Sequence, residues 1–142
     1  MNTSWLIAVD GSVPSLKVID YVITEAASRT TKPQLWLINV QAPLSGDITR
    51  FIDEKVVDDF HRETGDAALA QARQKLDAVG LAYSAHIMLG EAAPTLVEFA
   101  ADKGCSMIIM GARGLGSVAG LLLGSVATKV VKLSTMPVLL VK

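Results

Sequence analysis

At residues 107–114 the chain reads MIIMGARG, and after nine further residues it reads Gly124-Ser125. The apolar segment Met107–Met110 is typical of a strand buried on both faces of a parallel sheet. The residues after Ser125 have the pattern of a helix. The stretch therefore predicts a glycine-bearing loop between the C-terminal end of a strand and the N-terminus of a helix. Open α/β sheets bind phosphorylated ligands at such loops, because unpaired backbone N–H groups point into the crevice there.

On either side of this stretch the chain alternates strands and helices. A loop with Pro43, Ser45 and Gly46 is expected over residues 41–49, and Ser12 and Gly80 suit a helix N-cap and a C-terminal glycine cap. Strands separated by helices of this length predict an α/β fold, with a doubly wound parallel sheet of five strands and helices on both faces. The other predicted strands are Trp5–Val9, Leu35–Val40, Leu81–Leu89 and Pro137–Val141, and the predicted helices run from Ser12, over Asp53–Val79, over Pro94–Lys103 and from Ser125.

The predicted long helix needs one apolar face to pack on the sheet. Its spacing assigns that face to Val57, Phe60, Thr64, Ala67, Ala68 and Leu76. His61 lies among charged residues, so a solvated side chain is expected. His86 falls in a predicted strand, where either a buried or an exposed ring is consistent with the pattern.

Size and composition limit the class of protein. The chain has 142 residues and is 51% hydrophobic and 19% charged, which predicts a single globular domain over residues 1–142. A net charge of -1 gives no general attraction to nucleic acid or to an anionic membrane. No apolar stretch reaches the roughly 20 residues that span a bilayer, and no N-terminal signal is visible. The lone Cys105 suits small core filling, and a cytoplasmic location is expected.

The glycines of the loop are explained if a ligand binds against the loop backbone. Glycine lets the backbone approach an anion closely, so Gly111, Gly114 and Gly116 would keep the loop narrow. Backbone N–H groups from Gly124 onwards would then surround phosphate oxygens, with the Ser125 hydroxyl as a further donor. A flexible connector with a serine cap is the alternative. The chain has no Gly-Lys-Ser or Gly-Lys-Thr, which excludes a Walker A loop, and its first strand-to-helix turn lacks the dinucleotide fingerprint.

The spacing Gly-x2-Gly-x9-Gly-Ser at Gly111, Gly114, Gly124 and Ser125 resembles the nucleotide-binding signature of the universal stress protein family. The resemblance extends over the whole chain. Its other motifs are Val9-Asp10-Gly11-Ser12, the strand end Asn39-Val40 and the closing segment Met136–Val141. Two positions depart from the family pattern: Asn39 stands where His is frequent, and Ala127 stands where a hydroxyl residue is common.

The resemblance implies a strand order of 3-2-1-4-5 and binding of ATP or a related adenine nucleotide (ADP or AMP), often with a divalent metal such as Mg²⁺. It also implies that Ala8 and Val40 border the adenine and that Asp10 lies near the nucleotide. The glycines, Ser125 and Val126 would hold ribose and phosphates. Together with the residues of the loop itself, the candidate nucleotide-binding residues are Ala8, Asp10, Val40, Met110, Gly111, Arg113, Gly114, Gly124, Ser125 and Val126.

Charged residues near the loop have two interpretations each. Asp10 is a candidate ligand for a hydroxyl group or a metal ion near phosphate, and otherwise a turn-former that accepts nearby N–H groups. Arg113 and Lys129 are candidates to neutralise phosphate charge and are otherwise solvated side chains, and solvation is the expectation for Lys129. Neither histidine has a Cys or Asp partner at metal-ligand spacing, so no zinc site is expected.

The last predicted strand, Pro137–Val141, begins with a proline and is apolar and short, as suits an edge strand. A bare apolar edge invites aggregation. Pairing with the same strand of a second copy would cover the edge, which predicts a homodimer; coverage by a loop or by the chain end is the alternative. The resemblance also implies dimerisation through this strand.

Three classes of function remain open from the sequence. The first is a nucleotide-binding regulatory protein of the stress response, the second a slow ATPase or nucleotide-transfer enzyme, and the third an interaction protein that holds no nucleotide. Phosphoryl transfer needs positioned charge and usually an activated nucleophile. The sequence offers a phosphate cradle and Asp10 but no evident general base or lysine clamp, which favours binding over catalysis.

Overall fold

The structure, a computed structural model, describes residues 3–115, 120 and 122–142. Within them five strands form one parallel sheet in the order β3-β2-β1-β4-β5. This confirms the predicted fold class and strand order. The strands are β1 (Ser4–Ala8), β2 (Gln34–Gln41), β3 (Ser84–Leu89), β4 (Met107–Gly111) and β5 (Val138–Val141).

Helices cover both faces of the sheet. The helices are α1 (Val13–Ala27), α2 (Gly46–Thr49), α3 (Glu54–Ala78), α4 (Ala92–Asp102) and α5 (Ser125–Leu133). The helices α1 and α3 bury apolar side chains against one face, and α4 and α5 bury theirs against the other. Both faces of the sheet are therefore covered by helices. Neighbouring residues of one strand pack in different hydrophobic cores, one on each face. Leu6 and Ile7 of β1 are both fully buried, one on each face, which explains the continuous apolar runs in the central strands.

Local signals place most helix ends where the sequence predicts them. The Ser12 hydroxyl accepts a hydrogen bond from the Ser15 N–H and caps α1. Gly80 follows α3 with a φ of 70°, a conformation that costs glycine little.

Three elements differ from the prediction. The strand β3 begins at Ser84 rather than at Leu81, because the Leu81 N–H still bonds the Leu76 carbonyl at the end of α3. The helix α4 begins two residues before Pro94, because first-turn N–H groups have no intrahelical acceptor and proline is tolerated there. The predicted loop contains α2, capped by the Ser45 side chain.

The buried face of α3 was predicted one residue out of place. The residues that pack inward are His61, Gly65, Leu69, Ala72 and Leu76, and of the predicted set Leu76 alone is fully buried. Phe60 is 48% exposed, whereas His61, expected to be solvated, is 4% exposed. The difference of one residue comes from two inward-facing residues, Gly65 and His61, that a search for large apolar side chains leaves out. Gly65 lets the helix approach Ile87 of β3, and His61 donates to or accepts from the Gln41 side chain at 2.9 Å.

Candidate functional site

A cavity of about 340 Å³ opens at the C-terminal ends of β1, β2 and β4. Strand order reverses between β1 and β4, and such a switch point is where open α/β sheets leave a crevice. The starts of α4 and α5 form the opposite wall. The cavity brings together all ten candidate residues named from the sequence: Ala8, Asp10, Val40, Met110, Gly111, Arg113, Gly114, Gly124, Ser125 and Val126.

One part of the cavity is apolar. Ile38 and Leu96 line it beside Ala8 and Val40, and Ile38 and Leu96 are almost completely buried. Sequence reasoning missed Ile38 and Leu96, because a buried apolar residue looks the same in the sequence whether it faces a ligand or the core. An apolar pocket with a few polar groups at one side is the usual environment of a planar organic ligand.

The other part of the cavity is the N-terminus of α5. Gly124 is the N-cap residue, and its own N–H donates to the Ala112 carbonyl at 2.7 Å. Since glycine has no side chain, no side-chain cap accepts from the first turn. Ser125, Val126 and Ala127 line the cavity, and first-turn N–H groups have no intrahelical acceptor. This end of the helix therefore presents backbone donors and a positive dipole to the cavity.

Asp10 joins the end of β1 to the glycine loop. Its Oδ1 accepts from the Ser12 N–H at 2.9 Å, and its Oδ2 accepts from the Leu115 N–H at 3.1 Å. The turn-forming interpretation of Asp10 is thus confirmed, and the carboxylate also reaches the loop after β4. A Cβ at Gly114 would collide with Asp10 Oδ2, so glycine is what allows this contact.

Ser15 is a cavity residue that the sequence did not reveal. It lies in the first turn of α1 and is 3% exposed. Its hydroxyl Oγ has no hydrogen-bond partner within the described parts of the chain. Buried hydroxyls are nearly always paired in native proteins, so this hydroxyl is a candidate to bond a water molecule or a ligand in the cavity. The one signal in the sequence is its position three residues after the capping Ser12.

Of the charged side chains near the loop, some line the cavity and others pair with each other at the surface. Among the described residues that line the cavity, Asp10 is the one carboxylate and Arg113 the one basic residue. Lys129 instead pairs with Glu91 at 3.2 Å, and both side chains are mostly exposed. Gly116, predicted to narrow the loop, lies outside the described residues.

Other candidate groups lie away from the cavity. The His86 ring is exposed and lies 5.7 Å from that of Trp36. Cys105 is buried beside Ser4, and burial raises the pKa of its thiol, which agrees with core filling. No group of three or more His, Cys, Asp or Glu side chains placed to hold a metal occurs within the described ranges. None of the helices there is both long and apolar enough to cross a bilayer.

Three comparisons with known proteins agree with this fold. The model of the universal stress protein family matches residues 1–142. The chain is 30% identical to universal stress protein YxiE of Bacillus subtilis over 150 aligned positions that cover all of both chains. Its fold matches the solved structure of MJ0577 from Methanocaldococcus jannaschii with a TM-score of 0.83, at 26% identity over 100% of this chain and 96% of that one. It also matches a universal stress protein in complex with cAMP, with a TM-score of 0.72 and 27% identity over 99% and 97% of the two chains. The chain belongs to the universal stress protein family.

Proposed function

We propose that the cavity binds an adenine nucleotide and that the chain, as one nucleotide-binding unit, acts as a nucleotide-linked regulator in the stress response. The observation that carries this proposal is one cavity with an apolar pocket at one side and the N-terminus of α5 at the other. A purine fits the first environment and a phosphate the second. The cAMP complex of a relative at 27% identity supports the same ligand class.

In this proposal the base lies against Ala8 and Val40, and the ribose and phosphates lie along Gly111, Gly114 and the start of α5. The proposed ligand is ATP or a related adenine nucleotide, ADP or AMP. Mg²⁺ usually takes one or two carboxylates plus phosphate oxygens. Asp10, the one carboxylate among the described residues of the cavity, would be its protein ligand through a lone pair that the two N–H bonds leave free, and the remaining ligands would come from the nucleotide and water. Mg²⁺ would offset phosphate charge that Arg113 alone does not balance.

Binding with little turnover follows from the same groups. Both oxygens of Asp10 already accept backbone N–H groups, so the carboxylate is poorly placed to activate a water molecule. Lys129 is engaged with Glu91 rather than directed at the cavity. We therefore expect at most weak ATP hydrolysis and assign the chain a switching rather than a catalytic role.

The first experiment is to denature the purified protein and identify the small molecules released, followed by calorimetric titration of nucleotide-free protein with Mg-ATP and with AMP. Bound adenine nucleotide, or saturable binding with one site per chain, supports the proposal. Protein that is empty as purified and gives no heat with either ligand contradicts it. Phosphate release over hours then separates binding from hydrolysis.

Replacing Ser15 with alanine is expected to change stability and affinity in opposite directions. Removing an unsatisfied buried hydroxyl should raise the unfolding free energy of the nucleotide-free protein by about 1 kcal/mol. Loss of a hydroxyl that bonds the ligand should weaken nucleotide binding about 3- to 10-fold. Urea unfolding and calorimetry measure the two effects, and Thr24→Ala, exposed on the same helix, is the control. Equal or tighter binding by Ser15→Ala would show that the hydroxyl does not contact the ligand.

We also propose that the chain forms a homodimer through its last strand, residues Pro137–Val141. The strand β5 lies at the edge of the sheet and is only half-buried. The Pro137 and Val141 carbonyls accept from Ile108 and Ala112 of the neighbouring segment. Since residues alternate along a strand, the backbone groups of Val138 and Leu140 point away from β4, and within the described ranges they have no other backbone partner. A second copy could pair with them.

Leu140→Pro should therefore dissociate the dimer, because it removes an outward N–H while leaving the bonds to β4 in place. Leu140→Val keeps the N–H and is the matched control. Sedimentation velocity gives the assembly state, and far-UV circular dichroism checks that the variant is folded. A monomeric wild-type chain, or a folded Leu140→Pro variant that is still dimeric, would exclude pairing through this edge.

A further inference from the structure

A continuous line of side-chain hydrogen bonds crosses from α3 to the end of β1. The His61 Nδ1 lies 2.9 Å from Gln41 Oε1, and the Gln41 Nε2 donates to Asn39 Oδ1 at 3.0 Å. The Asn39 Nδ2 then donates to the Val9 carbonyl at 2.9 Å. We name these groups the His61 relay. His61 and Asn39 are each 4% exposed, so little bulk water competes for their side-chain hydrogen bonds.

The direction of every bond in the relay is fixed by its last member. A carbonyl only accepts, so the Asn39 amide must present its Nδ2 to Val9 and its Oδ1 to Gln41. Gln41 must then donate through Nε2, which turns its Oε1 toward His61. The histidine therefore has to donate through Nδ1, and its tautomer follows from the hydrogen bond rather than from assignment of the ring.

The other ring nitrogen of His61, Nε2, is buried without a hydrogen-bond partner among the described residues. With the proton on Nδ1, neutral His61 carries a lone pair on Nε2, and this atom has no hydrogen-bond partner among residues 3–115, 120 and 122–142. An unpaired buried nitrogen is unfavourable for folding. Within the described residues the Nδ1 bond to Gln41 is a side-chain hydrogen bond that favours this orientation of the ring.

The helix α3 contacts the end of β1 at a second point as well. Gly11 has a φ of 84°, and a Cβ there would lie 3.2 Å from Ala68 Cα of α3. The same short segment supplies Val9 and Asp10 to the cavity. The helix α3 therefore contacts the end of β1 at two points. One is the His61 relay, and the other is the close approach of Gly11 to Ala68.

We infer that His61 is held as its Nδ1–H tautomer and is a positioning residue for the nucleotide site, acting through Gln41 and Asn39 on the Val9–Asp10 segment. The positioning role rests on the proposed function. A donor at the Nδ1 position keeps Gln41 and Asn39 in the orientation that bonds the Val9 carbonyl. Without that donor, the half-buried Gln41 oxygen loses its partner, and the two amides are held from the Val9 carbonyl alone.

The tautomer is tested on the wild-type chain by long-range ¹⁵N–¹H correlation spectra of the imidazoles, recorded at a pH where both rings are neutral. For His61 we expect Nδ1 to resonate as a protonated, pyrrole-type nitrogen and Nε2 as an unprotonated, pyridine-type nitrogen. The exposed His86 serves as the internal comparison. A His61 ring protonated on Nε2 would overturn the relay, whatever the protein binds.

The positioning role is tested by comparing two substitutions that differ in one donor. His61→Leu fills the space without a donor, whereas His61→Asn places an amide N–H where Nδ1 lies. We expect His61→Leu to weaken AMP and Mg-ATP binding about 3- to 10-fold and His61→Asn to restore most of the loss. His86→Leu controls for removal of a histidine elsewhere. Wild-type affinity in His61→Leu, or no rescue by His61→Asn, would contradict the inference.

The outcomes separate this inference from the proposed function. If the wild-type chain binds neither AMP nor Mg-ATP, the proposed function fails and the positioning role fails with it, while the tautomer is still decided by the spectra. If the wild-type chain binds nucleotide and the two His61 variants behave alike, the proposed function stands and the positioning role is wrong. Thermal unfolding of each variant establishes that affinities are compared between folded proteins.

Discussion

Gly114→Glu is expected to abolish nucleotide binding while leaving the chain folded. Even the first atom of the new side chain would collide with Asp10 Oδ2, and the glutamate would add a negative charge where phosphate is proposed to lie. Displacing the carboxylate breaks its bond to the Leu115 N–H and reorganises the loop. Loss of two or more charge-assisted contacts, at about 1.5–3 kcal/mol each, corresponds to at least about a 100-fold loss of affinity.

Two further variants make the Gly114 test specific. Gly114→Ala adds the colliding Cβ without the charge, so the difference between alanine and glutamate measures repulsion apart from geometry. Gly46→Glu introduces the same side chain at a position where a Cβ meets no atom within 4 Å, and it should bind nucleotide as the wild type does. Calorimetry gives the affinities, and circular dichroism gives the fold. ATP affinity that survives Gly114→Glu would remove the loop after β4 from the site.

The sequence was sufficient to predict what depends on local pattern. The run Met107–Met110 and the glycines after it predicted β4, its loop and the place of the cavity, because strand burial and turn geometry are short-range properties. Ser12 and Gly80 predicted helix ends for the same reason. The ten candidate residues meet around one cavity since the carboxyl ends of parallel strands share one edge of the sheet.

Features that depend on contacts between distant segments were not predictable in this way. The hydrogen bond from the Leu115 N–H to the Asp10 carboxylate joins residues that are far apart in the chain. No local sequence pattern indicates this bond. Ser15 is an ordinary helix residue until its hydroxyl is seen without a partner. The buried face of α3 was misassigned because an apolar count passes over glycine and histidine, and here Gly65 and His61 are the residues that face inward.

Gly65 shows why that misassignment has physical consequences, and Gly65→Leu is expected to destabilise the fold by about 3 kcal/mol. A Cβ at this position would lie 2.6–2.7 Å from three side-chain atoms of Ile87. These atoms include both branches at the isoleucine Cβ, so a rotation at the end of the side chain does not relieve the clash. The helix α3 would have to move away from β3, against a gain in helix propensity of only about 1 kcal/mol.

A double-mutant cycle with Ile87→Ala identifies the cause of the Gly65→Leu effect. In the Ile87→Ala background the space beside residue 65 is open, so the same substitution should cost much less, with a coupling of about 1–3 kcal/mol. Ala67→Leu, exposed on the same helix, should change stability by less than about 0.5 kcal/mol. Urea unfolding gives all the values. Additive effects of Gly65→Leu and Ile87→Ala would mean that α3 does not pack on β3 through this glycine. The inward direction of His61, four residues earlier on the same face, would then also be in error.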